Sequence, residues 1–493
     1  ITLRHARTAA GAIYKAFKFL KPTPRNTAKI TTVWTTDPDQ RTHPECKQHA
    51  CLIKNGTCTR CGAHAYVTNT RTHIQEQVRE SFRVKFTKAP PLPKALFKYK
   101  TNKAGHRIPR LRRKPKWHKI APADRVYWSM YQDPTENTKN HYKHIMREPT
   151  PEEFDAYLRT VNTSTAPGPS KFRYCLLTQA PPEYIEIMRL IVATALTLRG
   201  FPIAMKHALL YPTPKTSGAA EVGNLRPIAL LEIGYKLTTG LIAHRIALAS
   251  QTAPTKLIHH SLAGCQKDST TLQPLALWNS ILEDAHEFNK PLWVCYADVE
   301  AAYDSVTTDS KLISFRRAGM PETFLDLIAD LDIDTTTEVI VPGNGLAQPY
   351  TNYKGFRQGD PLSPLGWLIF STPMVQWIAE GITPHPTSPP IQHLPPLKLA
   401  HINGDHTRDD STPTKDSYAM EFAGPTVTAN FYMDDSAFAA QAARGLTTSL
   451  ERSSRFLTFH GIHMHPTKTK VSANHKAWTH PHQSQSSHTA AGH

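Results

Sequence analysis

The chain has 493 residues, enough for roughly two to four domains with cores of their own. Its 58 Lys and Arg outnumber 40 Asp and Glu, which gives a net charge of +18. This excess of positive charge favours a polyanionic partner, with nucleic acid as the leading candidate. The sequence contains no run of 18 apolar residues, so no membrane-spanning helix is predicted.

The first 75 residues contain a cysteine cluster, formed by Cys46, Cys51, Cys58 and Cys61 within residues 43–64. The last two make a tight C-x2-C pair, whereas four residues separate the first two. Such clustering is typical of a structural zinc site more than of a disulfide framework. A zinc knuckle and a small cluster of reduced thiols are both open.

Residues 76–149 are predicted to form a basic, Pro-interrupted arm. Within them a basic segment, residues 79–119, carries fifteen Lys or Arg against the single acid Glu80, with interleaved aromatic residues. Its five prolines make a long helix unexpected. An extended arm that follows a phosphate backbone and stacks on bases is one interpretation, and a solvated linker is the other.

From residue 150 the pattern is that of a globular protein. Thr150 and Pro151 followed by acids predict a helix start, and apolar periodicity predicts helices near residues 181–198 and 237–251. Residues 381–416 are rich in Pro, His and Thr and are predicted to be an exposed insertion, and the tail 476–493 is predicted to be disordered.

The stretch "FYMDDSAFAA" (431–440) places Asp434 beside Asp435 between two short apolar runs. Strand, tight turn and strand is the local prediction, because Asp is common in turns. A solvated hairpin tip and a pair of metal-binding carboxylates are the two interpretations. A third carboxylate from elsewhere in the chain decides between them.

The stretch "PLWVCYADVEAAYDSV" (291–306) supplies that carboxylate. Residues 292–297 are an apolar run of strand length, and Asp298 stands at its end. We expect this strand end to meet the Asp434–Asp435 hairpin across adjacent strands. The three carboxylates would form an all-oxygen site for two Mg2+ ions, with Mn2+ as a substitute.

Several motifs, taken together and in order, resemble reverse transcriptases of the non-LTR (LINE-like) retrotransposon and group II intron type. They are "TAPGPSKF" (165–172), "RGFPIAMKHALLYPTPKTSG" (199–218), "NLRPIALL" (224–231), "HHSLAGCQKDSTT" (259–271), "ADVEAAYDSV" (297–306), "GFRQGDPLSP" (355–364), "FYMDD" (431–435) and "GIHMHPTKTK" (461–470). The resemblance covers residues 150–470, with departures at Ser170, Cys265 and His465, where the family usually has Asp, Phe and Asn.

This resemblance implies an α+β fold: right-hand polymerase fingers and start of palm at 150–290, and palm at 291–475, with an antiparallel sheet packed on helices. A basic N-terminal extension precedes it, and the thumb is expected to be missing, since 23 residues follow Lys470. It also implies RNA-templated DNA synthesis, with RNA template, DNA or RNA primer and dNTPs as partners. The alternatives are a crippled nucleic-acid-binding relic and an RNA-dependent RNA polymerase. Oligomeric state and cellular location stay open.

The resemblance also assigns roles to particular residues. Asp298 and Asp434 are implied metal ligands with the Val299 carbonyl, and Asp435 is more peripheral. The other implied residues act on the nucleotide. Tyr303 is the implied gate against a ribose 2′-hydroxyl, Gln358 borders the nascent base pair, and Gly355 and Gly359 let the backbone approach the nucleotide. Lys215 and Arg226 are implied to bind the phosphates, and Lys468 to donate a proton to the pyrophosphate. A core tyrosine at 303 and a surface lysine at 215 are the alternatives. Asp304 is expected to cap the next helix, and His460, His463 and His465 are expected at the surface.

Overall fold

The computed structural model describes residues 71–86, 92–101, 105–215, 225–253, 256–264, 269–379, 435–466 and 468–474, together with short strands elsewhere. Cys46, Cys51 and Cys61 lie outside the described residues, and Cys58 is described only as strand backbone. Most of the insertion and the tail 476–493 also lie outside them. The zinc site and the disordered tail therefore stay predictions.

Fourteen helices are described. They are α1 Arg71–Lys85, α2 Pro122–Ser129, α3 Glu136–Tyr142, α4 Pro151–Leu158, α5 Tyr174–Leu177, α6 Pro182–Leu198, α7 Ile203–Lys206, α8 Ile233–Ser250, α9 Leu272–Glu287, α10 Ala302–Ser305, α11 Thr308–Arg317, α12 Glu322–Leu331, α13 Ser363–Ala379 and α14 Ala443–Phe459. A 3-10 turn covers Trp117–Lys119. Among these described helices, none is long and apolar enough to cross a membrane.

The described strands are β1 Val33–Thr35, β2 Ile53–Lys54, β3 Thr57–Cys58, β4 Tyr66–Thr68, β5 Phe97–Thr101, β6 Arg107–Leu111, β7 Ala208–Pro214, β8 Leu225–Leu231, β9 Leu262–Ala263, β10 Trp293–Ala297, β11 Thr335–Val341, β12 Gly345–Leu346, β13 Tyr350–Asn352, β14 Leu397–Lys398, β15 Thr426–Val427, β16 Ala429–Tyr432, β17 Asp435–Ala440 and β18 Lys470–Ala473. A five-stranded central sheet has the order β18-β10-β17-β16-β9. Its pairs are antiparallel except β16 with β9.

The chain divides into two compact units. The first comprises residues 1–84, 210–228 and 338–350, and the second comprises 85–209, 229–337 and 351–493. In the first unit, the Arg71 and Gln75 side chains of α1 donate to the Asn344 carbonyl at 2.6 and 2.5 Å. Both bonds satisfy the Asn344 carbonyl oxygen in the tight turn between β11 and β12, where Gly343 and Gly345 have φ of +87°.

The core of the second unit lies on both faces of the central sheet. Cys295 and Phe438 point to one face and join the main apolar core, whereas Val294 and Ala439 point to the other and contact α9. The apolar run at residues 292–297 forms β10, and the predicted strand ends before Asp298. Val294, Cys295 and Ala297 are buried, whereas Tyr296 on the same strand is exposed.

The predicted helix starts and periodic helices are also confirmed. The Thr150 side chain accepts a hydrogen bond from the Glu153 N–H, and Pro151 occupies the first position of α4. The apolar periodicity near residues 181–198 corresponds to α6, and that near 237–251 corresponds to α8.

The basic segment 79–119 is folded, and the prediction of an extended arm is wrong. Its first residues end α1, and β5 and β6 form an antiparallel hairpin whose Phe97 and Ile108 are buried in the core. The Tyr99 hydroxyl donates to Asp309 of α11. Pro109, one of the prolines that made a long helix unexpected, lies in a two-stranded ribbon where each strand is an edge and tolerates a missing N–H.

His460 is buried, and its expected surface position is wrong. The ring follows α14 with 2% of the residue exposed, and it lies among the aromatic side chains of Tyr127, Phe370 and Phe456. Its Nε2 is 2.5 Å from the Tyr127 hydroxyl and its Nδ1 is 2.7 Å from the Ser310 hydroxyl. The polar residues around His460 favoured a surface position in the sequence, whereas His460 directly follows the buried apolar face of α14. His463 is exposed, as expected, and His465 is half-buried.

Candidate active site

Two carboxylates stand at neighbouring strand ends of the central sheet. Asp298 follows the last residue of β10, and Asp435 is the first residue of β17. These strands pair antiparallel as far as Ala297 with Ser436, and Asp298 and Asp435 are the next residues at these two strand ends. The fold therefore brings the two acids to one edge of the sheet.

The predicted hairpin at "FYMDDSAFAA" is confirmed. β16 pairs antiparallel with β17, with Tyr432 opposite Asp435. Asp434 lies outside the described residues, so its place in the carboxylate group stays a prediction. Across the described part of the chain, no group of three or more His, Cys, Asp or Glu side chains is arranged to hold a metal ion.

A segment after α14 runs beside the residues that follow β10. The His465 N–H donates to the Asp298 carbonyl at 2.7 Å, and the Glu300 N–H donates to the His463 carbonyl at 2.9 Å. This alignment brings the Lys468 ammonium to 2.7 Å from Asp298 Oδ2. Asp298 and Lys468, which are 170 positions apart in the sequence and belong to different motifs, are therefore in direct contact. Val299 is buried beside this contact, and its role as a carbonyl ligand stays a prediction.

Tyr303 lies at the start of α10 with its ring against the core. The ring stacks on Trp367 of α13, with centroids 5.4 Å apart and an angle of 24° between the planes. The Phe356 N–H donates to the Tyr303 carbonyl at 2.7 Å. One face of the ring is therefore anchored while the residue stays partly exposed. A packed tyrosine and a sugar gate are compatible, and the gate stays a prediction.

The segment "GFRQGD" (355–360) makes close backbone contacts that explain its glycines. Gly359 has a φ of +129°, and a Cβ at this position would lie 2.3 Å from the Ala229 carbonyl oxygen. The Ala229 N–H donates to the Gln358 carbonyl at 2.7 Å. A glycine is therefore required at position 359 because the backbone of Ala229 leaves no room for a Cβ atom. The approach of this segment to a nucleotide stays a prediction.

Asp304 was predicted to cap the following helix, and this prediction is wrong. Thr307 performs that role, because its side chain accepts from the Ser310 N–H at the start of α11. Asp304 is buried within α10, and its Oδ1 accepts from Gln358 Nε2 at 3.4 Å. It thereby connects α10 to Gln358.

Sequence reasoning missed the buried charges behind this segment. Asp360 is buried, and burial raises the pKa of its carboxyl group despite the Leu362 N–H at 3.1 Å. Arg357 is also buried, with its guanidinium carbon 5.4 Å from the centre of the Tyr235 ring. Lys311 of α11 reaches the Gly355 carbonyl. The only sequence signal for these buried charges was Lys311 at the start of the apolar stretch "KLISF" (311–315).

The two predicted phosphate-binding cations belong to the first unit. Lys215 follows β7 and is exposed, and Arg226 is exposed on β8. Both are therefore accessible to solvent, and their action on a triphosphate stays a prediction.

The donor chemistry at the strand ends fits a divalent hard cation. Asp298 and Asp435 are oxygen donors, and both are accessible, with 25% of the Asp298 side chain exposed and Asp435 exposed. Magnesium prefers few carboxylates, water and substrate phosphate over an all-protein cage. A partly open pair of acids at one sheet edge meets this requirement.

Comparison with known proteins agrees with this geometry. Residues 213–487 match the family model described as reverse transcriptase (RNA-dependent DNA polymerase). Similar proteins are the Retrovirus-related Pol polyprotein from type-2 retrotransposable element R2DM of Drosophila melanogaster and that from type-1 retrotransposable element R2 of Popillia japonica. The identities are 24% over 215 residues and 27% over 161 residues, covering 43% and 33% of this chain.

The chain spans about a fifth of the length of these relatives, with 19% of the first and 21% of the second covered. A third, from type-1 element R2 of Bradysia coprophila, is 24% identical over 181 residues. The family model covers more than half of the 493 residues, including the three motifs at 297–306, 355–364 and 431–435. The chain belongs to the reverse transcriptase (RNA-dependent DNA polymerase) family.

Proposed function

We propose that this chain catalyses RNA-templated DNA synthesis, transferring nucleotides from dNTPs to a primer 3′-hydroxyl, as part of a non-LTR retroelement. The observation that carries the proposal is the antiparallel pairing of β10 with β17, which leaves Asp298 and Asp435 at adjacent strand ends, within a chain that matches the reverse transcriptase family. The relatives' names, which refer to retrotransposable elements, support the retroelement origin.

Asp298 and Asp434 are the proposed metal ligands, with the Val299 carbonyl and a more peripheral Asp435. Two bound Mg2+ ions would supply activation of the primer hydroxyl and charge neutralisation at the leaving pyrophosphate. Lys468, 2.7 Å from Asp298, is close enough to the same edge to deliver a proton to that leaving group. Arg226 and Lys215 are the proposed phosphate donors, since guanidinium and ammonium groups both suit phosphate oxygens.

Tyr303 and Gln358 are the proposed nucleotide-selecting residues. The Tyr303 ring is held by Trp367 on one face, so a ribose 2′-hydroxyl would have to displace an anchored ring. Gln358 is held by Ala229 through its carbonyl and by Asp304 through its side chain. Both side chains are thus pre-positioned by the protein.

The basic segment is the proposed binding surface for the template backbone. Although it is folded, Lys98, Arg113 and Lys114 are exposed and line one open cleft with Arg112. Lys98 lies on the hairpin that Phe97 and Ile108 anchor in the core, and Arg113 and Lys114 follow its second strand. Such a surface binds phosphates without reading sequence.

Primer extension on poly(rA)/oligo(dT) with Mg2+ tests the proposal. Wild type should extend the primer, and Asp298→Asn should lower the rate at least about 1,000-fold, since it removes a charge that the metal requires. Glu300→Gln is the matched control, because this exposed acid lies two residues away. Its rate should stay within about threefold of wild type.

Two results would replace this proposal. Tight binding of the template–primer without extension by wild type would identify a nucleic-acid-binding relic. Incorporation of rNTPs in preference to dNTPs would identify an RNA polymerase. Equal activity in Asp298→Asn and Glu300→Gln would remove Asp298 from the active site.

A further inference from the structure

A buried lysine lies directly behind the "GFRQGD" segment. The Lys311 side chain is 5% exposed, and its ammonium lies 2.9 and 2.7 Å from the two carboxylate oxygens of Asp332. It also donates to the Gly355 carbonyl at 2.6 Å. An ammonium has three N–H donors and no acceptor, so these two partners account for its bonding.

Asp332 balances the charge of Lys311 and leaves one N–H of the ammonium for Gly355. Asp332 lies at the end of α12, and its Oδ2 also accepts from the Thr308 hydroxyl at 2.7 Å. A buried ion pair also needs hydrogen bonds for its remaining N–H groups, and the Gly355 carbonyl supplies one here. The bond to Gly355 therefore adds a geometric constraint on a segment that belongs to neither helix.

This constraint reaches the proposed nucleotide-selecting residues. Gly355, with φ of +99°, donates its N–H to the Val306 carbonyl at 2.8 Å, and the next N–H, from Phe356, donates to Tyr303. The Lys311 ammonium also lies 5.1 Å from the centre of the Phe356 ring. Residues 355–356 are thus held between Lys311 on one side and the Tyr303–Val306 turn on the other.

We propose that Lys311 is a positioning residue for nucleotide selection, which holds Gly355 and thereby sets the backbone of Tyr303 and the segment that carries Gln358. The inference rests on the proposed function. It assigns the lysine no contact with substrate. Errors of about 1 Å in such supporting contacts cost up to roughly 100-fold in rate.

Three variants separate positioning from stability. Lys311→Met removes the donor to Gly355 and leaves Asp332 unpaired. Lys311→Met/Asp332→Asn removes the unpaired charge as well, but still lacks the donor. Lys206→Met is the matched control, because Lys206 is equally buried and pairs with Asp330 of the same helix, at 3.2 Å.

Thermal unfolding and single-nucleotide incorporation with matched dNTP and rNTP are measured for each variant. Lys311→Met should lower Tm, raise the KM for dNTP about tenfold and raise the rNTP/dNTP ratio of kcat/KM about three- to tenfold. The double variant should recover Tm but keep the raised KM and ratio. Lys206→Met should lose Tm with an unchanged ratio.

Recovery of wild-type KM and ratio together with Tm in the double variant would overturn the inference, as would an equal change of ratio in Lys206→Met. If wild type incorporates no nucleotide, the proposed function fails and this inference fails with it. The two failures are distinguishable. Failure of the proposed function is seen as an inactive wild type, whereas failure of this inference alone is seen in the variants of an active wild type.

Discussion

Lowering the pH should destabilise the second unit through His460. The ring is buried, its Nε2 and Nδ1 contact the hydroxyls of Tyr127 and Ser310, and the Tyr131 hydroxyl lies 3.4 Å from Nε2. Burial lowers the pKa of His460 to about 3. Burial also raises the pKa of Tyr127, so its phenol stays neutral at neutral and acidic pH.

The magnitude follows from proton linkage. An unfolded histidine has a pKa of about 6.5, so between that pH and about 3 the unfolded chain binds one proton more than the folded chain. The contribution of His460 is therefore fully present above pH 6.5 and is lost as the pH falls toward 3. The loss approaches about 1.4 kcal/mol per pH unit, or roughly 2 kcal/mol between pH 6.5 and 4.5.

Urea unfolding followed by tryptophan fluorescence, at several pH values from 7.5 to about 4.5, measures this loss. His460→Gln is the comparison, because glutamine has similar length, keeps hydrogen-bonding groups and does not titrate. Carboxylates titrate in both proteins, so the difference between the two curves isolates His460. Wild type should lose roughly 2 kcal/mol more than the variant over this range. Parallel curves would show that the ring gains a proton in the folded state at ordinary cost, which would refute the linkage to burial.

Three further predictions concern the proposed activity and the N-terminal region. Tyr303→Val should raise the rNTP/dNTP ratio of kcat/KM about ten- to a few-hundred-fold in single-nucleotide incorporation, and a wild type that uses both sugars equally would remove the gate. Replacing Lys98, Arg113 and Lys114 by Gln should flatten the log–log salt dependence of template binding by about 0.7 per lost phosphate contact, and an unchanged slope would make the hairpin purely structural. Protein purified without chelators should carry close to one zinc for the cysteine cluster, released by acid or chelator, and its absence from elemental analysis would favour reduced thiols.

Local signals predicted the elements of the central sheet well. The apolar run before Asp298 and the two runs around Asp434 each form a strand. Such strands are recognisable because burial in a sheet requires either alternating or continuous apolar residues. The sequence also predicted that the strand end at Asp298 would meet the hairpin of Asp434 and Asp435 across adjacent strands. β10 and β17 are adjacent, and the joint site of the three carboxylates stays a prediction. These features depend on residues that are neighbours in sequence or on one strand pair.

Buried polar groups could not be predicted in the same way. Lys311 and His460 each look like surface residues in the sequence, and each is buried with partners from distant segments. Lys311 needs Asp332 and Gly355, and a polar residue tolerates burial only when such partners are present. No local pattern identifies a partner 44 residues away.

The helix α2, upstream of the family match, is part of the same core as the carboxylate-bearing sheet. Tyr127 stacks on Phe459 at 5.0 Å between ring centres, and Trp128 lies 5.4 Å from the same ring. Both residues are almost completely buried, and the match to the family model begins only at residue 213. Aromatic side chains bury large areas, so removing residues before 213 would expose the apolar face of α14. Since the segment after α14 carries Lys468 to Asp298, the geometry at the strand ends depends on α2 as well. The folding unit around the proposed active site is therefore larger than the segment that carries its motifs.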